Sequence, residues 1–501
     1  MNIINKRILI FQQRNWGLKF GRPIAEHFNK MGAQIGALTF KYHKNYVSDS
    51  EVKYSWIESH DKILENPKKY LLDFNCSLET ICKDLDVDTI WPYVQSLRDH
   101  VKSYREKFYY SFKQNVADDD IIIYIKAIYK LLLEINKSFK PHVIIMPNFV
   151  SLIHIMTYFF FKKRNIRCLS LTTSGLKDHY IFTNDFLDTT GSFFDQLKIY
   201  KKNMFNIDFS KEAIQLLQKE TEKLINMPDI IYIRNNFLNN LVKFIYQFFL
   251  NLFRETPAVS KLYGVKADQE KYLNKYLLRS FVIKNYNIYK SNKIKYYKLE
   301  NLNNFAYMPL QFQPESNLDV ASANFNNQIE TARQIAMHLP DDMTLVVKDH
   351  PAMTGLRSSK YLEKILKTPN VKLIKYNNSS ASVLKKSSLL IAPTGTTFFE
   401  AAILKKPAIV LGNLGIVKIL PNVVTTPNYQ SLPFVIKKIL NLSKSWGDDY
   451  NSEILIIISA ILKKGISSNY IKLWETQNNK EDLNNIINKF SNEVLDILNK
   501  V

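Results

Sequence analysis

The chain has 501 residues, too many for one ordinary core, so two domains are expected. Its 46% hydrophobic content excludes a disordered or fibrous protein, and no apolar stretch reaches the roughly 20 residues of a membrane-spanning helix. The formal charge of +22 fits a nucleic acid, an anionic lipid or a phosphorylated substrate as partner, or else reflects a solvated basic surface. Cys76, Cys82 and Cys168 form neither a metal spacing nor an even disulfide framework, which fits a reducing cytoplasm.

Arg7–Phe11 reads as a first strand, too short for a signal peptide. A loop containing Arg14 and Asn15 follows, then a helical pattern through Ile24, Phe28 and Met31 that Gly32 ends, then a strand over Ala33–Phe40. This is how a parallel sheet begins. From about Asp49 to Lys140 the period is mostly helical. His142–Met146 and Arg167–Leu171 are further strands, the second leading into a polar, site-like loop through Ser174, Asp178 and His179. A helix over Lys211–Ile225 closes a first domain of residues 1–230.

Residues 231–300 form a basic, aromatic helical insertion or linker; between Ile231 and Leu299 stand 13 basic and 3 acidic residues. Asn236–Phe253 is an amphipathic helix that either packs on the body of the protein or lies on an anionic membrane surface. The third segment, 301–475, alternates regularly. Its strands are Phe305–Phe312, Met343–Lys348, Val371–Tyr376, Leu389–Ala392 and Ala408–Gly412, and the segments between them have helical period. That spacing predicts a doubly wound parallel sheet. A last amphipathic helix, about Asp482–Asn499, carries Leu483, Ile486, Phe490 and Val494 on one face and is expected to return to the first domain, as segment 476–501.

Open parallel sheets bind ligands beyond the carboxyl ends of their strands. Lys348-Asp349-His350-Pro351 falls at one such end, and Pro351 holds His350 extended, so its imidazole is presented. Lysine and histidine there can donate to a phosphate, and a phosphate would favour the charged imidazole; the bland alternative is a turn with solvated charges. Thr394-Gly395-Thr396-Thr397 follows another strand and opens a helix, where free N–H groups accept an anion. Thr397 and Glu400 also match a capping box, so Glu400 either satisfies its helix or holds ribose hydroxyls. The two motifs together suggest a nucleotide site. Neither a Walker loop nor G-x-G-x-x-G is present, and no His, Cys or carboxylate spacing suggests a metal.

Tyr307–Glu315, Lys348–Pro351, and Gly395-Thr396 with Glu400-Ala401-Ala402 and Lys406-Pro407 resemble the bacterial capsule polysaccharide biosynthesis family, which is similar to GT-B glycosyltransferases including capsule Kdo transferases. The resemblance runs over Phe305–Gly412; the basic insertion lies outside it. It implies an α/β GT-B-like fold of two Rossmann-like domains facing across a cleft, with a C-terminal crossover helix. It also implies a metal-independent, cofactor-free glycosyltransferase moving a sugar from a nucleotide donor, CMP-Kdo among the candidates, to a glycan or glycolipid acceptor. Carried over, contact with the nucleotide falls on His350, Pro351, Thr396, Thr397 and Glu400, with Gln311 and Glu315 facing the cleft and Thr394 and Gly395 in the same loop. Lys348 and His350 would stabilise the departing phosphate. Asp178 and His179 are candidate bases, and Arg14, Asn15 and Ser174 candidate acceptor contacts. Such an enzyme is expected in the cytoplasm or on the inner face of the membrane. Two competing readings are a non-catalytic capsule assembly or export protein at that membrane and a nucleic-acid-binding protein; the second lacks a recognisable binding module.

Overall fold

Short apolar runs alternating with helices can bury both faces of a sheet only if the strands run parallel, and the chain does this twice. The computed structural model describes residues 3–13, 16–40, 47, 50–96, 117–203, 209–232, 237–253, 261–262, 265–266, 274–313, 315–426, 428–447, 449–470, 473 and 480–499. In the first sheet β1 (Arg7–Gln12), β2 (Gln34–Thr39), β3 (Tyr54–Ser59), β4 (Val143–Ile145) and β5 (Arg167–Thr173) are parallel, in the order β5-β4-β1-β2-β3. β6 (His179–Thr183) turns back antiparallel on β5.

Two of these strands depart from the sequence reading. β3 lies inside the stretch expected to be helical, at the sheet edge, where its pattern alternates and Ile57 is exposed. The polar loop after Leu171 is a hairpin: Thr172 and Thr173 extend β5, and His179 opens β6.

A small ribbon, β7 (Lys261–Leu262) with β8 (Val265–Lys266), precedes the second sheet. That sheet comprises β9 (Phe305–Pro309), β10 (Thr344–Lys348), β11 (Val371–Ile374), β12 (Leu389–Ala392), β13 (Ala408–Val410) and β14 (Val423–Thr425), all parallel. Their order, β11-β10-β9-β12-β13-β14, is the 3-2-1-4-5-6 of a Rossmann fold. The order in which strands are added therefore switches sides between β9 and β12, which opens a crevice at their carboxyl ends.

The two sheets are not independent beads. Leu176, Ile181 and Phe193 share one apolar core with Phe398, Phe399 and Ile457. The helix Lys211–Ile225 packs on Thr397–Ile403 of the second sheet's layer, and Asp229 O accepts from Ser379 N at 2.8 Å. The chain then returns. β15 (Ile466–Ser467) pairs antiparallel with β6, and the crossover helix Lys480–Asn499 puts Ile486, Phe490 and Val494 against Ile8, Ile24 and Phe28. Both sheets and the returning helix make the architecture α/β and GT-B-like, with two Rossmann-like domains.

Candidate functional site

Two neighbouring strand ends, of β10 and β9, are tied by one buried guanidinium. Arg357 pairs with the Asp349 carboxylate just beyond β10 and is fully buried. Its Nη2 donates to Gln311 O, just beyond β9, at 2.8 Å. Gln328 braces the same loop, accepting from Gln311 N at 2.6 Å and donating to Gln313 Oε1 at 2.6 Å. The Gln311 side chain reaches β12: a Cβ on Gly395 would stand 3.0 Å from its Oε1, and φ of +127° there suits only glycine. A short side chain at 395 would thus displace the Gln311 amide. Sequence reading had no means to find Arg357 or Gln328, since a single loop arginine or helix glutamine looks like ordinary surface.

Burial shifts the ionisable groups of the site toward their neutral forms. Lys348 is buried, and burial lowers its pKa to about 8 against the opposing pull of Asp349 and Glu400. Burial raises Glu400, with Lys348 opposing. Glu400 Oε2 is closed to solvent and has no hydrogen-bond partner among the described residues; the same holds for Thr394 Oγ1. The capping-box reading is not realised. The helix begins at Thr397 with Thr396 as N-cap and no side-chain cap bond, so Glu400 is not occupied by its helix. Orphaned buried polar atoms are costly and rare, and the pair at Thr394 and Glu400, on either side of Gly395 in sequence, suits a polar ligand.

His350 is extended, with φ −70° and ψ 130°, and its Nδ1 accepts from Ala352 N at 3.1 Å. An accepting Nδ1 carries no proton, so Nε2–H is the donor of a neutral ring. Burial, with Lys348 and Arg357, lowers the His350 pKa. The hydrogen bond and burial thus both favour the neutral ring. Pro351 opens the short 3-10 turn Pro351–Met353. At the other motif the first helical bond runs from Phe398 N to Gly395 O, which leaves the N–H groups of Gly395, Thr396 and Thr397 outside the helix ladder. Thr396 is exposed, Thr394 fully buried. Glu315 caps the turn Ser316–Asp319, and its N–H donates to Asp319 Oδ2 at 3.2 Å.

A second place between the domains has different chemistry, and its lining includes none of Lys348, His350, Gln311, Gly395 and Glu400. A cavity of about 320 Å³ is lined by Asn148, Thr172 and Asp188 from the first sheet, by Ser316, Asn317 and Leu414 from the second, and by Tyr470 of the returning chain. Asp188 is buried there, and its pKa rises to about 7, first from burial, with Asp185 adding to it. Its Oδ2 accepts from Thr172 Oγ1 at 3.0 Å. Asp185 is instead consumed by its loop, accepting from the N–H groups of Leu187, Thr189 and Thr190. The second domain locks this loop, with Gly415 N donating to Leu187 O at 2.6 Å.

The remaining acceptor-side candidates fall elsewhere. Ser174 is a hairpin residue, its Oγ donating to His179 O at 2.9 Å. His179 Nδ1 contacts Lys177 O at 2.7 Å, and Asp178 sits in the turn with φ +59°. None of the three lines the cavity, although the same turn meets the second domain, where a Cβ on Gly175 would collide with Phe399. Arg14 and Asn15 lie outside the described residues.

Among solved structures the chain is similar to the Thermosulfurimonas dismutans KpsC β-Kdo 2,7 transferase, with 11% identity over 72% of this chain and 89% of that one and a TM-score of 0.34. It is similar to the Methanocaldococcus jannaschii UDP-GlcNAc 2-epimerase solved with UDP-GlcNAc and UDP, with 12% identity over 91% and 99% of the two chains and a TM-score of 0.26. A Rickettsia africae glycosyltransferase gives 10% identity over 98% and 99%, with a TM-score of 0.25. Likenesses this low transfer no ligand and no activity, and the architecture rests on the two sheets themselves. No curated protein matches the chain. The family match covers residues 245–414, beginning inside the basic insertion and so extending well before the Phe305 at which the sequence resemblance starts. Over that segment, about a third of its length, the chain matches the family of capsule polysaccharide biosynthesis proteins.

Proposed function

We propose that the protein is a glycosyltransferase that moves a sugar from a nucleotide-activated donor to a capsular or other surface glycan, without a metal. The observation that carries this reading is the crevice between β9 and β12. There Lys348, the neutral donor His350 and the free N–H groups around Gly395 can receive phosphate, and the unpartnered Glu400 Oε2 can receive ribose hydroxyls. The family match over the same residues supports it. A CMP-activated sugar such as Kdo is the donor that the family resemblance favours.

On leaving, the sugar transfers negative charge to the donor phosphate, and Lys348 with His350 Nε2–H would stabilise it. The acceptor hydroxyl must lose a proton to a base from the first domain. Asp188, buried in the shared cavity with a pKa near working pH, is the carboxylate placed for this, and the Thr172 hydroxyl orients it. Three free cysteines suit a reducing cytoplasmic setting, where the donor would be met.

Thermal-shift measurements with CMP, UMP, UDP and GDP test the reading. At least one should raise the unfolding midpoint, and His350→Ala should reduce that rise. Indifference to all four would leave the non-catalytic assembly protein as the better description.

A further inference from the structure

We infer that the helix Phe237–Phe253 seats the protein on an anionic membrane surface. The helix has two apolar faces, and among the described residues only one of them is packed against another element. Its inner face packs on the helix Asn274–Ser291: the Phe237 and Phe244 rings lie 5.6 and 5.0 Å from Phe281, and Lys284 Nζ donates to Asn240 Oδ1 at 3.0 Å. The opposite face presents Leu238, Val242, Ile245, Tyr246, Phe249 and Leu250 to solvent, with Leu238 69% and Val242 66% exposed. Spacings of four, three, one, three and one residues keep these six on one side of an α-helix. A stripe of that size on a soluble surface marks an interaction site.

Charge identifies what covers it. Neither helix of the pair contains an acidic residue, and residues 231–299 hold 13 basic against 3 acidic ones. Lys243 borders the stripe. The second helix adds Leu278, Val282, Tyr286 and Tyr289 as exposed residues, with Lys290 and Lys293 over the rings of Tyr286 and Tyr289 at 5.6 and 4.4 Å. Tyrosine rings bordered by lysines suit the depth where hydrocarbon meets anionic headgroups. A second protein copy bearing the same face would bring like charge to like charge. Among the described residues no helix is long and apolar enough to cross a membrane, so this helix lies in the plane of the surface. The pair is tied to the nucleotide-site loop, for Asn287 Nδ2 donates to Gly355 O at 3.0 Å, two residues before Arg357. Docking would thus hold the crevice at a fixed height above the bilayer, within reach of a lipid-linked acceptor.

The full chain sedimented with phosphatidylcholine vesicles, with and without phosphatidylglycerol, provides the test. Binding is expected on the phosphatidylglycerol vesicles, weakening with salt. Val242→Asp/Phe249→Asp should lower it about tenfold or more, and Lys243→Glu/Arg279→Glu should weaken it at low salt and flatten its salt dependence. Both variants should keep the wild-type unfolding midpoint and any nucleotide response, so a failure here is separable from a failure of the nucleotide reading. Absence of binding at low salt would overturn the inference. So would equal binding to both vesicle types, or a dimer in vesicle-free solution that the same aspartates dissociate.

Discussion

The two carboxyl edges that meet in this protein carry opposite chemistry under the same physical constraint. On the second sheet the buried group is a cation, and burial lowers Lys348 to about 8. On the first it is a carboxylate, and burial raises Asp188 to about 7. Each is held where a small change in surroundings decides its charge. A structural ion pair would place such groups together and satisfy them; here they stand on different domains, one beside orphaned ligand atoms and the other in a shared cavity. The contrast teaches that burial tunes a cation on one domain and a carboxylate on the other toward the same range, and under the proposed function these would receive the anion and the proton respectively.

The most disruptive way to break this contrast is Arg357→Ala. It strips the buried Asp349 of its partner and frees the Gln311 loop. A loss of about 3–5 kcal/mol in denaturant unfolding is expected, with loss of any nucleotide-induced stabilisation. A loss below about 1 kcal/mol would mean that the strand ends are held by something else.

Lys348→Met removes the buried cation alone. Nucleotide binding by calorimetry should weaken by roughly 2 kcal/mol, on the order of a thirtyfold rise in Kd. The wild-type affinity should itself fall as pH rises through about 8, where the ammonium loses its proton. Because the folded pKa is depressed from 10.5, the cost of burying this charge is fully present below about 8 and is relieved between there and 10.5. An affinity constant from pH 7 to 10 would remove the ammonium from binding.

Asp188→Asn removes the buried carboxylate and should do the reverse to stability. Its folded pKa is raised from 3.8, so its contribution is favourable below that value and is lost as pH rises through about 7. At pH 8 the amide should therefore stabilise the fold by about 2 kcal/mol, while donor turnover with a cognate acceptor falls. Destabilisation at pH 8 would show a structural role instead. The smallest expected effect is Thr394→Val. Removing a buried hydroxyl with no partner should leave stability within about 0.5 kcal/mol, yet nucleotide binding should weaken measurably.

Legibility in the sequence followed the source of each signal. β9, β10, β12 and β13 were readable within a few residues because they are buried on both faces and read as largely apolar runs; β11, at the sheet edge, was readable despite Lys372 from its apolar neighbours and flanking turns. β3 was not, being an edge strand with alternating exposure inside a helical stretch. β6 was hidden because Ser174 to Asp178 read as a functional loop, although they make a hairpin turn. The same distinction holds in the site. The residues around His350 and Gly395 announce themselves through local motifs that place backbone and side chain. Arg357, Gln328 and Asp188 owe their character to burial by segments far away in the chain, and no local pattern records that.

The return of the chain has a consequence for how the molecule is made. β6 finds its outer neighbour in β15, and the face of Arg22–Lys30 finds its cover in Lys480–Asn499, with Phe490 against Phe182 at 4.9 Å. During synthesis the first lobe emerges hundreds of residues before these pieces do, with one sheet margin and one oily flank still bare. The second lobe, whose strands all lie between Phe305 and Thr425, needs no such wait. Translation order and completion order are therefore inverted: the lobe begun first is finished last. A ribosome stalled before residue 466 should hold a second lobe ready to mature beside a first lobe that still needs a chaperone's protection.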